Sequence, residues 1–143
     1  MPEGVGYGPQ YTSSTGLSLN YIGNHCYAMS GDFPSSTSNQ TVLDFTTGGK
    51  YIVGTFQCNG AIHNVTADAG NTSVYKFKFN NVAVAKVKLE TDLESGERGT
   101  PSQTNFKILI PPFTNVLVQL DNNETDSDEL NTITFVGRVY GKI

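Results

Sequence analysis

At 143 residues, with 13 acidic against 9 basic side chains and a formal net charge of −4, the chain has the size of one domain. It lacks the strongly basic balance that nucleic-acid binders present. Charged residues make up 15% of it, below the roughly 25% of ordinary domains. No apolar run approaches the ~20 residues a membrane-spanning helix needs, so neither nucleic acid nor a membrane is expected as a partner.

Residues 1–24 are rich in Gly, Ser, Thr, Tyr and Asn and show neither a period of 2 nor one of 3.6. That pattern predicts an extended N-terminal arm, which needs contacts to offset the backbone freedom it gives up, about 1–2 kcal/mol per residue. A neighbouring subunit is the simplest source of such contacts, and the arm's packing along its own domain is the alternative. The first ten residues have neither a basic start nor an apolar h-region, which predicts a chain made without an export signal.

From His25 the chain reads as short strands separated by turn clusters. Residues 25–29 are the first, followed by a loop over 30–40 that carries Gly31 and Pro34. Residues 41–46 are the second, with Leu43 and Phe45 on one face and Asp44 on the other. Gly48-Gly49 offers a tight turn that makes residues 51–59 a hairpin partner. After a Gly- and Asn-containing stretch over 60–72, Tyr75-Lys76-Phe77-Lys78-Phe79 alternates cleanly, aromatics inward and lysines toward water.

Asn80-Asn81 can turn the chain into a strand over 82–90. There Val82 and Val84 face one way and Val87 and Leu89 the other, so a bulge is expected near Ala85. A polar loop over 93–104 precedes a strand over 106–110. Pro111-Pro112 ends that strand because proline cannot donate to a ladder. Residues 116–120 and 133–140 supply the last two strands, and no helical periodicity runs for ten residues. The chain is therefore expected to be all-β, a single eight-stranded jelly-roll-like β-sandwich over 25–143 with the arm at 1–24.

Chemistry-bearing patterns are few. His25 and His63 stand apart, without the spacing of a zinc site. No G-x-S-x-G elbow and no phosphate-binding glycine loop occurs. The acidic residues crowd polar loops, where one of a catalytic pair would not find the apolar pocket that raises its pKa. No enzyme activity, cofactor or bound metal is expected. The acidic run 121–129 could offer oxygens to calcium but lacks the central glycine of an EF-hand and reads as a solvated loop. Cys26 and Cys58 read as free thiols in or near the core. Sequons at Asn39, Asn64, Asn71 and Asn123 read as products of an Asn- and Thr-rich composition. Tyr7, Tyr11, Tyr21, Tyr27 and Tyr51 could stack on sugar rings, although tyrosines in strand-rich chains more often pack at sheet margins.

Three stretches carry a family likeness: His25-Cys26-Tyr27-Ala28-Met29-Ser30-Gly31, Phe106-Lys107-Ile108-Leu109-Ile110-Pro111-Pro112-Phe113-Thr114, and Thr134-Phe135-Val136-Gly137-Arg138-Val139-Tyr140-Gly141. Over roughly 24–141 the chain resembles small jelly-roll structural proteins of tailed, especially marine, bacteriophages. The resemblance implies a virion component of the head-decoration or minor-capsid type. Such a protein is made in the host cytoplasm, docks on the major capsid protein or other virion proteins, and is a homo-oligomer, with a trimer favoured. It carries over no catalytic residue. The arm and a sheet margin are the expected interface, with Tyr7, Tyr11 and Tyr21 as contact residues, because tyrosine gives large contact area at low entropy cost. The isoleucine-proline-proline corner is shared with carbohydrate-binding jelly rolls, which leaves a second reading open, a module that binds surface glycans in adhesion or host recognition.

Overall fold

The computed structural model describes residues 19–60, 71–91, 103–123 and 126–141. Ten strands and no helix occur among them: β1 (Asn20–Ile22), β2 (His25–Met29), β3 (Phe33–Ser35), β4 (Gln40–Thr46), β5 (Tyr51–Asn59), β6 (Asn71–Phe79), β7 (Val82–Thr91), β8 (Gln103–Ile110), β9 (Asn115–Asn122) and β10 (Asp126–Tyr140). All eight expected strands are present, most of them a residue or more longer than their apolar cores. The count is corrected from eight to ten by β1 and β3. Each spans three residues, too short to show a period, and each lies in a polar stretch that reads as arm or loop.

Two antiparallel sheets form a sandwich. One runs β1-β2-β10-β5-β8, with β3 pairing the first part of β10, and the other runs β4-β9-β6-β7. Leaving β1 and β3 aside, the first strand pairs the last, β4 pairs β9, β5 pairs β8 and β6 pairs β7. The chain is thus one long nested hairpin rolled into two sheets, which is the jelly roll. That topology overturns the local hairpin expected at Gly48-Gly49, because β4 and β5 lie in different sheets. The glycine pair reverses the chain, but the partner of the turn is the 111–114 corner. The Phe113 N–H donates to the Gly48 carbonyl at 2.8 Å, and the Thr47 N–H to that of Thr114 at 2.9 Å. Buried Thr47 strengthens the joint by donating its hydroxyl to the Pro111 carbonyl at 2.8 Å and accepting the Thr114 N–H at 2.9 Å.

Asn80 and Asn81 adopt positive φ of 52° and 69°, the pair of left-handed residues that a two-residue hairpin turn needs. In β7 the register slips so that Phe77 faces Ala85 and Lys78 faces Ala83. The slip is the bulge expected near Ala85: Val84 is the extra residue, and Val82, opposite Phe79, shares the face of Val87 and Leu89, of which Leu89 is buried.

Period-2 alternation builds the core. Ile52, Phe56 and Cys58 point inward from β5, Val116, Val118 and Leu120 from β9, and Ile133, Phe135 and Val139 from β10. The ring of Phe56 lies 4.5 Å from that of Phe135 in its own sheet and 4.8 Å from that of Phe77 in the facing sheet, centroid to centroid. Such aromatic pairs add about 0.5–1.5 kcal/mol to the area they bury. Room for Phe135 comes from Gly54 and Gly137, which face each other in register. A Cβ on Gly54 would lie 2.4 Å from the Phe135 Cζ and 2.7 Å from the Val136 carbonyl oxygen.

One end of the core is polar. Asn131, at 1% exposure, donates to the Phe33 carbonyl at 3.0 Å and the Ser35 hydroxyl at 3.3 Å. Its carbonyl accepts the Ser73 hydroxyl at 2.7 Å, and Ser73 in turn accepts from the Asn122 amide at 2.9 Å. The network ties β3 and β10 of one sheet to β6 and β9 of the other. It meets the rule that buried polar groups are hydrogen-bonded.

Candidate assembly surface

The alternation that fills the core also decides what the two outer faces present. On the four-stranded sheet the outer face carries charges of both signs, Lys76, Lys78 and Lys86 beside Asp44 and Asp121. Lys76 stands opposite Lys86, and Gln119 flanks Lys76 on β9.

The outer face of the six-stranded sheet is different. One row crosses it as Asn20, Tyr27, Val136, Thr55 and Lys107, and the next as Ile22, His25, Arg138, Val53 and Leu109. A third row is Met29, Thr134, Gln57 and Asn105. Ile22 is 69% exposed, Met29 58%, Val136 52%, Leu109 51% and Tyr27 38%. Single exposed apolar residues are ordinary, but a contiguous group of them marks an interaction surface. β5 and β10 give the face a length of about 30 Å, but β1 and β2 span only three and five residues, so over its ~19 Å width it offers on the order of 400 Å², about half the ~800 Å² per partner of a standard interface.

Polar detail frames the patch. Tyr51 and Tyr140, cross-strand neighbours, stack with centroids 5.4 Å apart and planes at 20°. The Arg138 guanidinium lies 5.8 Å from the Tyr140 ring centroid, within cation–π range. Between the Thr132–Asn59 pair and the Tyr140–Tyr51 pair, the outward residues described include Arg138, Lys107 and His25 but no carboxylate. In a chain of net charge −4, this stretch mixes exposed apolar residues with neutral polar ones and cations.

Of the expected contact residues, Tyr7 and Tyr11 lie outside the described residues, as does the arm up to residue 18. Tyr21 lies on β1, half-buried and packed inward against the core. Sequence reasoning missed Ile22, Met29, Val136 and Leu109 as surface candidates. Each is an apolar residue in an apolar-rich strand, and only the phase of its neighbours puts it outside. Of the acidic run 121–129, residues 124–125 lie outside the described residues. Among the described residues no group of His, Cys, Asp and Glu is placed to hold a metal ion. Cys26 and Cys58 are free and buried, and burial pushes each thiol up to about 12. Tyr75 is pushed up as well, chiefly by burial. Its hydroxyl lies 2.7 Å from the Asn59 carbonyl oxygen and 2.9 Å from that of Thr132.

No protein-family model matches the sequence, and no curated protein does. Among solved structures, the chain is similar to a part of dimeric latent PorU from Porphyromonas gingivalis, at 11% identity and a TM-score of 0.49 over 91% of this chain and 14% of that one. It is also similar to a chain of the T13 infectious bursal disease virus particle, at 11% identity and a TM-score of 0.47, over 97% of this chain and 36% of that one. A chain of the Gx strain of that virus matches at 12% identity and a TM-score of 0.47, over 100% of this chain and 39% of that one. The chain therefore spans well under half the length of each of these structures.

Proposed function

We propose that this chain is a non-enzymatic structural protein of a virion, a capsid decoration or minor capsid component that oligomerises and docks on the viral shell. The observation that carries the reading is the group of exposed apolar residues on the outer face of the six-stranded sheet, in a stretch that holds no described carboxylate between the Thr132–Asn59 and Tyr140–Tyr51 pairs. A face with Ile22, Met29, Val136 and Leu109 in water loses free energy on being covered, at about 25 cal/mol per Å² of apolar area. Assembly with copies and with other virion proteins supplies that cover, and a trimer is the favoured state.

The test is the native mass of the full chain by light scattering across a range of concentrations, beside Val136→Glu. The reading expects oligomers that Val136→Glu dissociates while the far-UV circular dichroism spectrum of the folded chain stays unchanged. A chain that is monomeric at every concentration and does not bind purified shells overturns it. Glycan binding is the second reading, favoured by Tyr27, Tyr51 and Tyr140 sharing one face. Saturable sugar binding that Tyr27→Ala abolishes, in a chain that stays monomeric, would replace the first reading with this one.

A further inference from the structure

The chain enters its fold at β1, the edge strand of the sheet whose outer face is apolar. Leu19, just before it, is already buried, so the segment 1–18 starts from the margin of that face. At about 3.3 Å per extended residue it can reach roughly 60 Å, three times the ~19 Å width of the sheet. It can therefore span its own domain and a neighbour's.

Its chemistry suits the face. Residues 1–18 hold one charged side chain, Glu3, together with Val5, Tyr7, Tyr11 and Leu17. The surface offers exposed Ile22, Tyr27, Met29, Val136 and Leu109 among neutral polar residues, with Arg138 and Lys107 beside them and no described carboxylate between the Thr132–Asn59 and Tyr140–Tyr51 pairs. A second copy laid face to face would instead add its own Arg138 and Lys107 to a surface with no described carboxylate to pair them, which disfavours the contact. Neither cation suits a purely apolar partner.

We infer that residues 1–18 of a neighbouring copy lie across the outer face of the six-stranded sheet, with Tyr7 and Tyr11 against Tyr27, Val136 and Leu109 and with Glu3 toward Arg138 or Lys107. The inference rests on the assembly proposed above and names the surface and the segment that make it. A segment that leaves one copy to cover the next makes a head-to-tail contact, which closes into a ring if the rotation allows. That geometry accords with a cyclic trimer.

The experiment is disulfide cross-linking between full-length chains with single substitutions, Tyr11→Cys in one and Val136→Cys in the other, mixed under mild oxidation. Cys26 and Cys58 are buried in both and contribute little background. The expected result is a covalent dimer formed at least tenfold faster than when Tyr11→Cys is mixed with Lys86→Cys, whose residue lies on the other sheet. Equal rates, or no dimer in either mixture, overturn the inference. So does a chain carrying both Tyr11→Cys and Val136→Cys that closes only on itself. Light scattering on the same samples separates the two failures. Oligomers without preference for Val136 leave assembly standing and remove this docking mode, whereas monomers throughout remove both.

Discussion

Asn131→Ala tests whether the polar end of the core fixes the two sheets together. Asn131 is 1% exposed and makes contacts of 3.0 Å to the Phe33 carbonyl, 3.3 Å to the Ser35 hydroxyl and 2.7 Å from the Ser73 hydroxyl. A fourth, from the Asn122 amide, is 3.5 Å long and is left out of the sum. A net hydrogen bond is worth about 1 kcal/mol, and a buried partner left unsatisfied costs about 1–3 kcal/mol. Three lost bonds give a destabilisation of about 3 kcal/mol, with Ser35 at 1% exposure and Ser73 at 2% unable to reach bulk water. For a chain of this size that is a fall of about 10 °C in Tm. Urea unfolding followed by circular dichroism measures it, with Thr132→Ala, at the half-buried neighbour, as the comparison. A loss below about 1 kcal/mol for Asn131→Ala, or one equal to that of Thr132→Ala, would refute the claim that this network ties the sheets.

Other substitutions probe other joints. Gly54→Ala should destabilise the fold by about 2–3 kcal/mol through overpacking, since its Cβ would sit 2.4 Å from the Phe135 Cζ and 2.7 Å from a carbonyl oxygen; chemical denaturation reads it directly. Thr47→Val keeps the shape but removes the hydroxyl that joins the 47–50 turn to the 111–114 corner, and should cost about 2 kcal/mol in the same assay. The thiols predict alkaline sensitivity. In the unfolded chain a thiol ionises near 9, whereas burial holds Cys26 and Cys58 protonated up to about 12. The folded state then binds more protons than the unfolded one between those values. Stability is therefore undiminished below about pH 9 and falls as pH rises toward 12, by up to ~1.4 kcal/mol per pH unit for each thiol. The slope of stability against pH should flatten in Cys26→Ala/Cys58→Ala, leaving the part that belongs to Tyr75.

By itself the sequence determined the all-β class, the eight strands of the nested hairpin, the turn at Asn80-Asn81, the bulge near Ala85 and the stop at Pro111-Pro112. These are local properties, since side-chain alternation, left-handed φ and the missing proline N–H act within a few residues of where they are read. Tertiary structure alone decided which strands share a sheet. Gly48-Gly49 reverses the chain equally well within one sheet or between two, and the outcome rests on the Thr47–Thr114 joint, 67 positions apart. It alone revealed β1 and β3, whose three-residue lengths carry no period and whose partners are β2 and β10. The candidate surface was hidden for the same reason. Val136 and Leu109 look like core residues among their apolar neighbours, and only the side of the sheet on which Phe135 and Ile110 are buried turns them outward.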